Sequence, residues 1–483
     1  MKGIFLDMYQ KSPLKERKAF IQFVDSPFFN QNTNLQRLIR SLEKQVKTAS
    51  KIDKLLVYQE CFGEEPFNGA KYDNLISDLL HLWYNYLTQL SLGRNPLVQK
   101  QLLVRHLLDQ EWFDPCSAQL GKFAKLLQES PWQDQLYWQA ESQYQYLEDQ
   151  QKVIQNKRGH SPHLQLRNDA LDRYYHLEKM RIACDMASRS NAVNATYSNL
   201  FMEAIIQWYQ QNPNAFLAFP AFQLYSAAYR LFSMPENPTA YQDLKLQLEL
   251  HLELIPLDEL RHLYTYLINY AVQRSNSGDN QFYHELFELY RFLLEKSILI
   301  KNDSLTQWTF TNIITVGIRT KNYAWTEQFI QENNHFLLVE VRQNVVTYNL
   351  ANLHFEKKDY TSALRMLHDV EFTDSFYHLS AKFIQLKSYY ILNETEALLA
   401  LIQTTRRFLQ RNRQLSTYQK KSSVHFLTLL QKLNQITILQ SLYQVSKAHY
   451  QKLKNNLVKM SPLANKQWLE EMIEQLEPLH HSQ

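Results

Sequence analysis

Lys358-Asp359-Tyr360-Thr361-Ser362-Ala363-Leu364 is followed by Asn393-Glu394-Thr395-Glu396-Ala397-Leu398, with Ala363 and Ala397 34 residues apart. A weaker relative, Lys321-Asn322-Tyr323-Ala324-Trp325-Thr326, precedes them a few residues out of step. Each stretch sets a polar turn before a small residue. A period of this length accommodates two helices and their turns. The rest of the composition agrees with helices. The 483 residues include only 8 glycines and 14 prolines, far too few to supply the hairpins of a sandwich, barrel or propeller. With 45% hydrophobic and 13% aromatic residues the chain is also too apolar to stay disordered. An all-α protein is expected, and at this length more than one domain or an extended array.

Outward from the repeat, helical spacing recurs along the chain. Apolar residues fall at three- and four-residue intervals over Leu14–Val24, Leu35–Val46, Lys54–Cys61 and Tyr72–Leu92. Further helices fit Gln101–Gln110, Ala118–Gln128, Asp134–Gln155 and Leu164–Arg189. Ser12-Pro13 reads as an N-cap followed by proline at the first helical position, and Ser26-Pro27 as a stop. Ser304-Leu305-Thr306-Gln307 and Ser416-Thr417-Tyr418-Gln419 read as capping boxes. The charged, Gly- and Pro-containing stretch Lys157–His163 is the clearest loop and marks a boundary. The expected division is an N-terminal helical domain over 1–160 and a middle helical-hairpin region over 161–300. Helical repeats with a basic surface follow over 301–460, then a C-terminal helix and tail over 461–483.

Within Asn344–Phe372, Leu350-Ala351 is followed by Phe355, then Asp359-Tyr360 at a turn and Ala363-Leu364 beyond it. These are the large, small, aromatic, turn and small positions of the tetratricopeptide repeat, and the stretch resembles that family. The next unit keeps Ile384, Tyr389 and Ala397 but has Gln385 at the small position and Thr404-Thr405-Arg406 where a proline is usual. The resemblance covers about a third of the chain, and no family is recognised in the first 300 residues. It implies an α-solenoid of antiparallel helix pairs in which Ala351 and Ala363 allow close approach. It also implies a concave groove lined by the first helix of each pair: Tyr348, Asn352 and Phe355 in one unit, Lys382, Leu386 and Tyr389 in the next. Asn and Lys there would hold a peptide backbone or carboxylate, and the tyrosines would pack against its side chains.

No catalytic pattern accompanies the repeat. The glycines lie no closer than six apart, so there is no phosphate loop and no nucleophile elbow. His284-Glu285 is followed by Glu288 where a zincin motif needs its second histidine. The pairs His160/His163 and His480/His481 read as a solvated loop and tail, since no nearby Cys or carboxylate completes a metal site. Neither cofactor nor metal nor enzymatic activity is expected. Cys61, Cys116 and Cys184 form no pattern and suggest buried thiols in a reducing compartment. No apolar run approaches the ~18 residues needed to span a bilayer. Asp7 interrupts what would be a signal sequence, so a cytoplasmic protein is expected.

The net charge of +4 conceals an asymmetry. From Ala397 to Leu469 there is no Asp or Glu, yet 12 of the 52 lysines and arginines fall there. Arg406, Arg407, Arg411, Arg413, Lys447, Lys452, Lys454 and Lys459 are the candidate basic surface. Tyr443–Met460 can form an amphipathic helix with Ser446, Tyr450, Leu453 and Leu457 on one side. Phe408, Tyr418, Phe426, Tyr443 and Trp468 are interleaved with the cations, either as core or as a stacking platform for single-stranded bases. The tract is a solvated face, or a surface for an acidic protein, nucleic-acid phosphates or an anionic membrane. The expected function is a non-catalytic scaffold binding a protein or peptide through the groove and this basic surface. The alternative is an RNA- or single-stranded-DNA-binding helical repeat using 397–469.

Overall fold

The apolar spacings fold as helices, and the boundaries follow local chemistry. The computed structural model describes residues 3–48, 52–155, 159–193, 196–234, 237, 239–368, 374–442 and 447–476, with only the backbone of 48, 191–193, 441–442 and 447–448. Among the described residues there are 24 α-helices and no strand. Those residues divide into two units, Met1–Ala187 with Ala195–Tyr229, and Ser188–Asn194 with Arg230–Gln483.

The first unit contains α1 (Ile4–Lys11), α2 (Leu14–Asp25), α3 (Thr33–Thr48), α4 (Lys54–Phe62), α5 (Gly69–Gly93), α6 (Pro96–Asp109), α7 (Phe113–Gln128) and α8 (Gln135–Ile154). Most of α9 (Pro162–Val193) follows, with α10 (Met202–Gln211), α11 (Pro213–Leu217) and most of α12 (Pro220–Ser233). Pro13 itself occupies the N-cap of α2, so Ser12 does not cap it. Trp83 on α5 anchors one core, its indole edge-on to Phe20 at 4.7 Å and packed with Phe5, Tyr9 and Tyr86. Buried Glu43 takes hydrogen bonds from Tyr9 Oη at 2.8 Å and Arg17 Nε at 3.0 Å. Burial alone would raise its pKa. These bonds, with Lys47, outweigh burial and hold it below the ordinary value.

The second unit contains α13 (Ala240–Leu250), α14 (Leu257–Asn276), α15 (Gln281–Glu295), α16 (Gln307–Arg319), α17 (Tyr323–Asn333) and α18 (Val339–Glu356). It continues with α19 (Tyr360–His368), α20 (Ser375–Ile391), α21 (Thr395–Arg411), α22 (Thr417–Leu442), α23 (Lys447–Lys459) and α24 (Lys466–Leu476). Each of α13 to α21 packs on its successor, and α16, α18 and α20 also adjoin in order. The expected small residues make this close approach. Ala351 and Ala363 are fully buried between α18 and α19. Gly317 does the same between α16 and α17, where a methyl group would overlap Thr326 Oγ1. The Thr311 hydroxyl on α16 receives a hydrogen bond from Asn349 of α18 at 3.1 Å and shares one with Tyr377 of α20 at 2.9 Å. One half-buried hydroxyl thus ties three helices together.

The turns explain how so few glycines suffice. After α16, α18 and α20 the chain turns through Lys321, Lys358 and Asn393, all left-handed, with φ of 60°, 66° and 58°. In each, the next amide reaches back to the helix: Asn322 to Gly317 O at 2.8 Å, Asp359 to His354 O and Glu394 to Tyr389 O at 2.9 Å. This is the helix stop that usually recruits glycine, made here with side-chain-bearing residues. Of the two expected capping boxes, Ser416/Gln419 forms reciprocally, with Gln419 N to Ser416 Oγ 3.2 Å and Ser416 N to Gln419 Oε1 2.9 Å. Ser304 does not cap α16; Thr306 takes that place, accepting from Thr309 N at 3.1 Å.

Candidate functional site

The residues expected to line a shared groove occupy different surroundings. Tyr348 is half-buried against the cluster of Ala351, Ala363 and Ile384, its ring 5.2 Å from that of Tyr377. Tyr389 packs against the neighbouring cluster of Leu398, Ile402 and Leu430. Leu386 is fully buried in that same cluster, and a completely enclosed side chain cannot line a groove. Asn352 and Lys382 are half-buried, and burial draws the Lys382 ammonium below its ordinary pKa. Gln385, the departure from the small position, turns its amide to Leu367 O at 3.1 Å. Phe355 is buried, and it leads to a site that the repeat pattern did not indicate.

Arg406, Arg407 and Arg411 lie on α21, Arg413 in the loop after it, and the four lysines on α23, with α22 packed on both α21 and α23. Arg407, Arg411 and Arg413 are exposed, as are Lys452 and Lys459, and none has an acid within ion-pair distance among the described residues. Arg406 is half-buried against Thr428, and Lys454 is half-buried. The Lys447 side chain lies outside the described residues, as do Tyr443 and Ser446. Tyr450, Leu453 and Leu457 form the buried stripe of α23. Phe426 is a core residue with no exposed area, which removes it from any stacking platform. Arg407 and Arg411, one turn apart, border a hollow of about 410 Å³ with Thr404, Phe408 and Asn412. His378 stacks on Phe408 with centroids 4.4 Å apart.

A larger cavity, about 700 Å³, opens where the C-terminal ends of α16, α18 and α20 meet α24. Its apolar wall includes Phe355, Tyr360, Tyr390, Ile391, Trp468 and Met472. The Trp468 ring stands edge-on to Tyr390 at 5.7 Å, and Tyr390 is held by a hydroxyl contact of 2.9 Å to Thr437. Arg319, Lys358, Glu356 and Glu471 stand around it. Three left-handed residues, Lys358, Asn393 and Asn465, also line it.

Lys387 is the unusual member. Only 9% of it is exposed, and its ammonium lies over the Phe355 ring, 4.4 Å from the centroid. No hydrogen bond or ion pair to it is found among the described residues. Burial drives its pKa down to about 8, Glu356 and Glu471 opposing the fall and Arg319 adding to it. A desolvated cation of this kind is costly without a partner, and the cavity is its outlet. Local spacing carries no sign of this residue: the lysine reads as one more charge on a helix surface, and part of the cavity it lines comes from α24, some 80 positions away. Comparison of the chain with family models, with curated proteins and with solved structures yields no match.

Proposed function

We propose that this chain is a non-catalytic interaction module whose C-terminal helix pairs stack in the manner of tetratricopeptide repeats and engage an acidic protein partner. The reading rests on one observation: Arg407, Arg411 and Arg413 are exposed and have no acid within ion-pair distance among the described residues, in a tract of 73 residues that contains none. Like charges on a helix one turn apart cost a few tenths of a kcal/mol. A partner carrying carboxylates would return that cost and add charge-assisted hydrogen bonds. The ordered packing of α16, α18 and α20, and the buried Ala351/Ala363 contact, support a stacked-pair arrangement.

The test uses the full chain beside an R407E/R411E/R413E variant, after thermal unfolding has established that both fold alike. A labelled acidic peptide and a single-stranded oligonucleotide of equal charge are titrated at ~0.15 M salt. The proposal expects the peptide to bind, and reversal to weaken it at least about tenfold. Unchanged peptide binding by the variant overturns it. Preference for the oligonucleotide, with a steep salt dependence, replaces it with the nucleic-acid reading.

A further inference from the structure

We infer that the cavity around Lys387 is a binding site for a small monocarboxylate with an apolar, aromatic-sized body. The inference is separate from the basic surface of α21 and draws on different residues. Its first support is a lysine nine-tenths buried along its side chain, with an unpartnered ammonium, among the residues lining a cavity. The carbonyls of His354, Phe355, Tyr389 and Tyr390 accept bonds in the turns that end α18 and α20, and among the described residues no carbonyl accepts one from Lys387. The Phe355 ring face gives only a weak electrostatic substitute for an oxygen acceptor.

Charge selects the class. Arg319, Lys358 and Lys387 face Glu356 and Glu471, a formal surplus of one positive charge. One carboxylate neutralises that surplus, whereas a phosphate or dicarboxylate would add charge beside two glutamates. Shape supplies the remainder. Phe355, Tyr390 and Trp468 offer ring faces and edges, with Ile391 and Met472 closing the apolar side. A volume of about 700 Å³ lies within the range of small-molecule sites. Asn393 and Asn465, both left-handed, add two amide side chains to the lining.

The experiment titrates the purified full chain at pH 7 by calorimetry with phenylacetate, its neutral isostere phenylacetamide and its dianionic relative phenylmalonate. Lys387→Met keeps the length of the stem and removes the charge; Lys296→Met, exposed at the end of α15 and not lining the cavity, is the control. Thermal unfolding of each variant establishes that it is folded. The inference expects one phenylacetate per chain, with phenylacetamide and phenylmalonate at least about tenfold weaker, as suits loss of a hydrogen bond to a charged group. It expects a comparable loss in Lys387→Met and none in Lys296→Met. Equal binding of acid and amide overturns it, as does undiminished binding by Lys387→Met, or no binding at about 10 mM of any probe. A blocked Ala-Phe-Asp-Ala peptide separates the sources of the carboxylate. Lys387-dependent binding of that peptide, without binding of phenylacetate, overturns the small-molecule site and assigns the carboxylate to a protein partner. Failure here leaves the Arg407 test untouched, because no residue is shared.

Discussion

Replacing Lys387 by methionine should make the protein more stable at neutral pH, although it deletes the one charge on which the cavity is built. The ordinary lysine pKa of 10.5 falls to about 8 in the fold. At ~1.4 kcal/mol per unit, the charged form is penalised by roughly 3 kcal/mol on folding. Methionine keeps most of the stem's packing and forfeits the contact with the Phe355 ring, which contributes about 1 kcal/mol. A net gain of about 2 kcal/mol is expected at pH 7, or roughly 5 °C in the unfolding midpoint of a unit of this size. The pH dependence has a defined sign. Between pH 8 and 10.5 the unfolded chain holds a proton at this site that the folded chain has released, so the wild type gains stability relative to the variant as pH rises. The other charged groups at the site, Arg319, Glu356, Lys358 and Glu471, with the phenols of Tyr360 and Tyr390, are common to both proteins and cancel in the comparison. Thermal unfolding of the two proteins, followed by circular dichroism at pH 7 and pH 10, measures the effect. A variant less stable at pH 7, or a difference that does not narrow at pH 10, would refute the reasoning that burial is what perturbs this lysine.

Two further predictions concern the helix pairs. Gly317→Ala should cost about 1–3 kcal/mol, because the new methyl meets Thr326 Oγ1. The double change Gly317→Ala/Thr326→Ala should recover part of the loss in urea unfolding, and no recovery would place the cost elsewhere. Lys321→Gly should stabilise by about 0.5–1 kcal/mol, since φ at this position is 60° and a Cβ is strained there. A lowered midpoint would contradict that account.

The helices were legible because their information is local. Apolar spacing marks Leu75, Leu79, Leu80, Leu82 and Tyr86 on α5, all of them buried, and the helix extends over Gly69–Gly93, just beyond the expected Tyr72–Leu92. The small residues Ala351 and Ala363 were legible for the same reason. Turn residues were less so, since nothing in a lysine announces a left-handed conformation. The cavity was not legible. Phe355, Lys387 and Trp468 come from three separate helices, and only tertiary packing shows that the lysine is largely buried beside a cavity and that the phenylalanine lies beneath its ammonium. Leu386 shows the converse: repeat logic pointed it at a groove, while the neighbouring helices α21 and α22 enclose it. On the basic tract, sequence established segregation of charge, and the structure spread its cations over α21 to α24 and the loop at Arg413.

The left-handed turns also bear on the denatured ensemble. Glycine surrenders more backbone freedom on folding than any other residue, and this chain has only 8. Among the described residues nine other side chains, from Glu111 to Asn465, adopt the conformation that glycine would adopt without strain. Each is strained when folded, but each also narrows the conformations open to the unfolded chain, an effect of about 0.4–1 kcal/mol per site. Folding therefore begins from a stiffer random coil, and the helical hairpins have less entropy to lose when they close. Local strain at the turns and a reduced ordering cost along the chain are two sides of one compositional choice.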